Sequence, residues 1–198
     1  MFKRMSVLVR RPDHDRRTFS NLWRRHAAPV SQLPRIRGYI QNHIETEFSP
    51  ASPIKADGFV ELLWDQPEDM AIAFASDAAR PMVEDEPGFL GHGSGYAISG
   101  SAWRFEALAS KLVIIVTRDG SVVYNAATNL PGLKACFRDD VSALIAKPGM
   151  TPPQNVDTFF HLWFADDPAA RDAAIRMTEF SQSTVDFGVY LVRPIRYV

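Results

Sequence analysis

His26 stands on a stripe of large apolar side chains. Phe19, Leu22, Trp23, His26, Val30 and Leu33 follow the i, i+3, i+4, i+7 spacing of an amphipathic helix, so the histidine occupies a position where a leucine is expected. An imidazole titrates near neutrality. On the wall of a water-poor pocket it can exchange protons with a ligand, and in a plain core it is simply held by one hydrogen bond. Both readings are open on spacing alone. Pro29 lies three residues on, removes the backbone bond to Arg25 and crowds the preceding turn, so the helix is expected to bend or loosen just beyond His26.

A second pair of chemistry-bearing residues lies on strand patterns. Ala56 to Trp64 and Val156 to Phe164 sit one hundred positions apart with Asp, Phe and Leu in register, which puts Glu61 and His161 at corresponding places. The opposite faces of both strands are wholly apolar, as helix-covered faces should be, so Glu61 and His161 are expected to point between the sheets. They read either as a structural polar contact across a seam or as a second acid and base. Tyr39, Gln41 and His43 share one face of the strand Tyr39 to Ile44, and Ile40, Asn42 and Ile44 take the other. The histidines show neither helical nor hairpin ligand spacing, so no metal is expected. Cys136 reads as a buried helix residue rather than a nucleophile.

The elements that would carry these residues follow the chain in order. Met5 to Val9 reads as a strand, and Asp15 or Thr18 as the cap of the His26 helix. Glu45 to Asp57, with two prolines, reads as a long connection or lid, and Phe59 to Trp64 as a strand. A helix starts at Asp65-Gln66-Pro67 and runs to about Ala79, and Gly91-His92-Gly93-Ser94-Gly95 reads as a flexible turn before a strand Tyr96 to Phe105. The second half repeats the pattern incompletely. Lys111 to Thr117 matches the first strand, Asp166-Asp167-Pro168 repeats the helix start, and Gly188 to Tyr197 closes the order; Leu133 to Ala146 is expected to form its first helix, and a counterpart of the Tyr39 strand is wanting. The result is an α+β chain of two ferredoxin-like βαββαβ repeats, residues 1–107 and 108–198, the second degenerate.

Composition narrows the setting. With 198 residues and 46% apolar content, the chain can bury a substantial core. One cysteine excludes an internal disulfide and suits a reducing compartment. The apolar run near the N-terminus ends at Arg10, too short for a signal segment or a membrane span, so a soluble cytoplasmic protein is expected. Net charge is −1, yet residues 1 to 40 hold ten Lys or Arg against two Asp, and residues 45 to 86 hold eleven acids against two bases. These segments are expected to neutralise each other, and nucleic-acid binding is not expected.

The order Phe19, Trp23, His26-Ala27-Ala28-Pro29, then Tyr39-Ile40-Gln41-Asn42, Asp57-Gly58-Phe59-Val60-Glu61, and Asp85-Glu86 with Phe89 resembles the EthD family of the dimeric α/β-barrel superfamily. It does so well over the first hundred residues and loosely beyond. The resemblance implies ferredoxin-like units whose sheets pack into a barrel, here as a tandem, fused pseudo-dimer that acts as a monomer or pairs as a homodimer. It implies a cofactor-independent enzyme acting on a small hydrophobic, aromatic, polyketide-like or lactone molecule by oxygenation, cyclisation, dehydration or isomerisation. A non-catalytic binding or helper role is the alternative, and haem binding through His26 occurs in other branches. His26 and Tyr39 stand at the family's catalytic positions. Trp23, Asn42, His43, Glu61, Trp64 and Phe89 are the expected ligand-binding positions. The second half lacks counterparts of Trp23, His26, Tyr39 and Asn42, so one site per chain is expected.

Overall fold

Strand β1 (Phe2–Arg10) alternates inward Lys3, Met5 and Val7 with outward Arg4, Ser6 and Leu8, and it pairs antiparallel with β3 (Gly58–Trp64) on one edge and β4 (Leu90–Ser99) on the other. Strand β2 (Gly38–Glu47) flanks β3, which gives the order β4-β1-β3-β2 in the first half. The second half has the same order, with β8 (Phe187–Arg196), β5 (Ser110–Val116), β7 (Thr158–Phe164) and β6 (Leu133–Ile145). Strand β2 joins β8 and β6 joins β4, so a single antiparallel eight-stranded sheet closes on itself. The computed structural model describes residues 1–49, 52, 54–99, 110–146, 150, 152–181 and 186–198.

Helices cover the outside. In the first half these are α1 (Arg16–Arg25), α2 (Ala27–Val30), α3 (Pro67–Ala75) and α4 (Arg80–Asp85); in the second they are α5 (Gly120–Thr128) and α6 (Asp167–Ser181). Asp15 caps α1 by accepting from Thr18 N–H at 2.6 Å. The expected interruption by Pro29 falls at His26 itself, which ends α1 and starts α2.

Several sequence expectations change. Leu133 to Ile145 is a long strand, not a helix, and the first helix of the second half is α5. Its period-two pattern was hidden because Asp139, an inward position, is charged; the cations that make this tolerable come from other strands. Cys136 accordingly lies on a strand, half-buried. The predicted helix to Ala79 ends at Ala75 and a separate α4 follows. Gly91 to Gly95 is not a turn but lies within β4. That strand is described to Ser99, and the predicted stretch from Gly100 to Phe105 lies outside the described residues. Strand β2 takes in Glu45 to Glu47 of the expected connection, of which Pro50, Ala51 and Pro53 also lie outside them.

The basic and acidic segments do meet. Arg10 pairs with Asp57, Arg35 with Asp69 at 2.7 Å and Arg37 with Asp65 at 2.7 Å, which ties the ends of the first strands and α1 to the β3 and α3 region. Among the described residues no helix is long and apolar enough to cross a membrane.

Inside the barrel, the register makes Lys3 equivalent to Lys111, Asn42 to Asp139 and Glu61 to His161. All are buried. Lys3 bridges Glu61 (2.8 Å) and Asp139 (2.6 Å), Lys111 donates to Glu61 (2.6 Å) and Asn42 (2.9 Å), and Asn42 donates to Glu61 (2.9 Å). His161 Nε2 lies 2.9 Å from Asp139 and its Nδ1 3.7 Å from Glu61. Burial drives His161 towards the neutral form, so Nε2–H donates to Asp139, and two ammoniums then balance two carboxylates. Burial alone would raise the pKa of Glu61, but Lys111 and Lys3 outweigh it and hold Glu61 well below the usual carboxylate range; Lys3 does the same for Asp139.

Removing one member leaves an uncompensated buried charge. Glu61→Ala is therefore expected to lose about 3–5 kcal/mol of unfolding free energy in urea at neutral pH. Because the folded pKa values of Glu61 and Asp139 lie below their unfolded values of about 4, their contribution is complete above that pH and is lost as pH falls below it. The acid limb of stability against pH should be shallower in Asp139→Asn than in wild type.

Candidate functional site

The amphipathic stripe of α1 and α2 docks on the outer face of the first-half sheet. Phe19, Trp23, His26, Val30 and Leu33 are buried there as the spacing predicts, with Leu22 partly covered. Trp23 stacks on Phe19 (5.5 Å between centroids) and on the His43 ring (4.3 Å), and its indole lies flat against Gly58. A methyl group at Gly58 would come within 2.7 Å of Trp23 Cη2, so the absence of a side chain there sets the depth of the indole.

Between these helices, α3, α4 and the sheet lies a cavity of about 460 Å³. Its walls are mostly apolar, with Trp23, Val30, Val60, Leu62, Phe74 and Phe89 prominent, and its polar groups are few: His26, Tyr39, Arg4, Ser6, Ser94 and Glu86. The floor is formed where β1 pairs with β4. Opposite the outward positions Leu8, Ser6 and Arg4 stand Gly93, Gly95 and Ala97, which fill almost no space. In the second half the equivalent pairs are Val116 with Phe187, Ile114 with Val189 and Leu112 with Leu191, all buried under α5 and α6 in a dense apolar cluster. The same frame is therefore hollow in one half and packed solid in the other. Small residues of these two strands, Ser6, Gly93 and Ser94, stand in the cavity wall.

His26 Nδ1 lies 2.9 Å from Asp85 Oδ2, at the end of α4, and its ring packs on Phe89 at 4.9 Å. A carboxylate only accepts, so Nδ1 carries the proton of that bond and Nε2 is the basic nitrogen. Tyr39 is fixed by a chain of hydrogen bonds. Gln41 Nε2 donates to the Trp23 carbonyl (2.7 Å) and to Tyr39 Oη (2.6 Å), which turns Gln41 Oε1 to His43 Nε2 (2.9 Å). His43 Nε2 is then a donor, and its Nδ1 accepts from Ser20 Oγ at 2.8 Å. Burial pushes His43 down to about 3, so it remains neutral, and burial raises the Tyr39 phenol above its ordinary value, so it remains an O–H. Having accepted from Gln41, Tyr39 keeps its own proton for a partner elsewhere.

The expected site residues thus divide. His26, Tyr39, Trp23 and Phe89 line one cavity. His43 backs Trp23 from behind rather than lining it. Trp64 packs on Phe74 and donates to the Pro34 carbonyl at 3.3 Å, outside the lining. Asn42 and Glu61 face the opposite side of the sheet, in the buried charged layer of the barrel. Sequence reasoning missed Arg4, Ser6, Gly93 and Gly95. A signal was present: Arg4 and Ser6 occupy outward positions that are Leu112 and Ile114 in the other half. No group of three or more His, Cys, Asp or Glu suited to a metal occurs among the described residues.

Comparison with known proteins agrees with this geometry. The model of a family described as the EthD domain matches residues 11–93, from the end of β1 into β4. Among solved structures, a protein described as anthrone oxidase-like superposes with a TM-score of 0.59 at 9% identity, over 98% of this chain and 92% of its own. A Fusobacterium nucleatum protein provisionally described as a monooxygenase gives 0.56 at 7% identity, over 99% and 96% of the two chains. A Lactobacillus acidophilus protein of the same provisional description gives 0.50 at 12%, over 100% and 95%. At such identities the likeness is one of fold. The chain matches no curated protein.

Gly58→Ala is expected to displace Trp23 from the cavity wall, with a stability loss of about 1–3 kcal/mol and a red shift of tryptophan emission, both readable in one urea titration followed by fluorescence.

Proposed function

We propose that this chain is a cofactor-independent enzyme of the EthD type, a duplicated and fused pseudo-dimer with one site per chain, acting on a small aromatic molecule that bears a ring carbonyl. The observation that carries this reading is the hollow first half: a mostly apolar cavity lined by a protonated tyrosine and by His26, which Asp85 holds from outside the lining, over a frame whose other half is filled. Such a site has what removal of a proton from a carbon conjugated with a carbonyl requires. His26 Nε2 takes the proton, Asp85 stabilises the imidazolium that forms, Tyr39 O–H donates to the carbonyl oxygen as it gains charge, and the apolar walls exclude water.

Anthrone, suggested by the description of one structural neighbour, is a fitting probe. Loss of a C10 proton to His26 leaves the electron pair delocalised onto the ring oxygen. The resulting enolate gives electrons to dioxygen, and the overall change is anthrone plus O2 to anthraquinone plus water.

Anthraquinone formation and oxygen uptake by the purified protein test the reading. His26→Ala is expected to lower kcat about 10²–10⁴-fold with a KM change of only a few-fold, and Asp85→Asn to have a smaller effect of the same sign. Anthrone that binds wild type and is recovered unchanged after long incubation overturns the enzymatic reading and assigns the cavity a binding role.

A further inference from the structure

Arg4 is a charged residue of the cavity wall whose chemistry the mechanism above does not use. Its side chain leaves β1 on the outward face, beside Ser6 and against Gly95, and its guanidinium lies 4.9 Å over the Phe74 ring. Its Nε is buried and without a hydrogen-bond partner. Burial pushes Arg4 down to about 10, partly offset by the field of Glu86 on the same wall, so the group stays charged at neutral pH. A buried cation with an idle donor is an expense that folding alone does not justify. The equivalent residue of the other half is Leu112, fully buried and apolar, so the frame does not need a cation here.

Taking the cavity to be a ligand site, as the proposed function does, but independently of any reaction, we infer that Arg4 anchors an acidic oxygen of the ligand, and that the ligands of this cavity are aromatic acids or phenolates rather than neutral arenes. The fork of guanidinium N–H groups matches a carboxylate or a phenolate, and the aromatic and aliphatic walls match the ring system. Gly95 serves the same end. A methyl group there would come within 2.9 Å of the Ile145 carbonyl oxygen and 3.0 Å of the Arg4 terminal nitrogen, so the glycine leaves room for the neighbouring strand as well as for the guanidinium.

Calorimetric titration with 2-naphthoate and its neutral counterpart 2-naphthamide tests this. Wild type is expected to bind the carboxylate at least about tenfold more tightly, as a charge-assisted pair should. Arg4→Met should bind the two alike while keeping the amide affinity, and Arg4→Lys should keep only part of the preference. Without ligand, Arg4→Met should raise Tm by about 2–4 °C, since it removes a charge that the fold does not satisfy. Gly93→Leu, whose Cβ meets only ordinary contacts, should fill the cavity and abolish binding of both probes. Undiminished carboxylate preference in Arg4→Met, no preference in wild type, or a lowered Tm would each overturn the role of Arg4 while leaving the cavity standing. Binding unaffected by Gly93→Leu, or no binding of either probe to wild type, would overturn the cavity as a ligand site and the inference with it.

Discussion

The buried charged layer across the middle of the barrel is the constraint on which the two halves of this molecule depend. Lys3 and Lys111, Glu61 and Asp139, with Asn42 and His161, come from strands of both halves; Lys3 pairs with a carboxylate of each half, and Lys111 bonds Glu61 and Asn42 of the other. Taking charges out of water is costly, and the layer is tolerable only when every member is in place. A register slip of one residue in β1, β3 or β6 would turn a charge to the helix face and leave its partner alone. The layer thereby selects one closure of the sheet over others, even if its net contribution to stability is small.

With the interior occupied, the space available to a ligand lies outside the sheet, beneath the helices. The two outer faces share a register and differ in what fills it. Val116, Ile114 and Leu112 meet Phe187, Val189 and Leu191 in one half, where close packing supplies stability. Leu8, Ser6 and Arg4 meet Gly93, Gly95 and Ala97 in the other, where the same positions supply a void and polar groups. A packed half compensating a hollow half is the division of labour expected when a site lowers local stability.

The sheet and helix walls of the cavity are locked to each other by hydrogen bonds made behind its lining. Gln41 holds both the Trp23 carbonyl and the Tyr39 hydroxyl, and His43 carries the chain on to Ser20 of α1. His26 is tied instead to Asp85, across the gap between α1 and the end of α4. His26 is thus oriented by an element other than its own, whereas Tyr39 is oriented by Gln41 of its own strand, itself anchored on α1 through the Trp23 carbonyl.

What could be read from the chain without its structure was local or periodic. The stripe from Phe19 to Leu33 identified a buried helix face with His26 on it, because helical spacing is a property of neighbours in sequence. The hundred-residue offset between Glu61 and His161 correctly placed both inside the barrel, because strand alternation survives translation. The tertiary structure decided everything that rests on pairing. Asp139 made a strand resemble a helix because its cations lie far away in sequence, and the glycines of β4 resembled a turn because the cavity they floor exists only once β1 lies beside them. Likewise Asn42 and Tyr39, three residues apart, are separated by the thickness of the sheet: one is consumed by the charged layer and the other faces the cavity. The sequence by itself determined which faces are apolar and where a histidine interrupts one. Which polar residues stay idle, and where space is left, were decided by strand register, since burial and hydrogen-bond satisfaction depend on groups brought together only when the barrel closes.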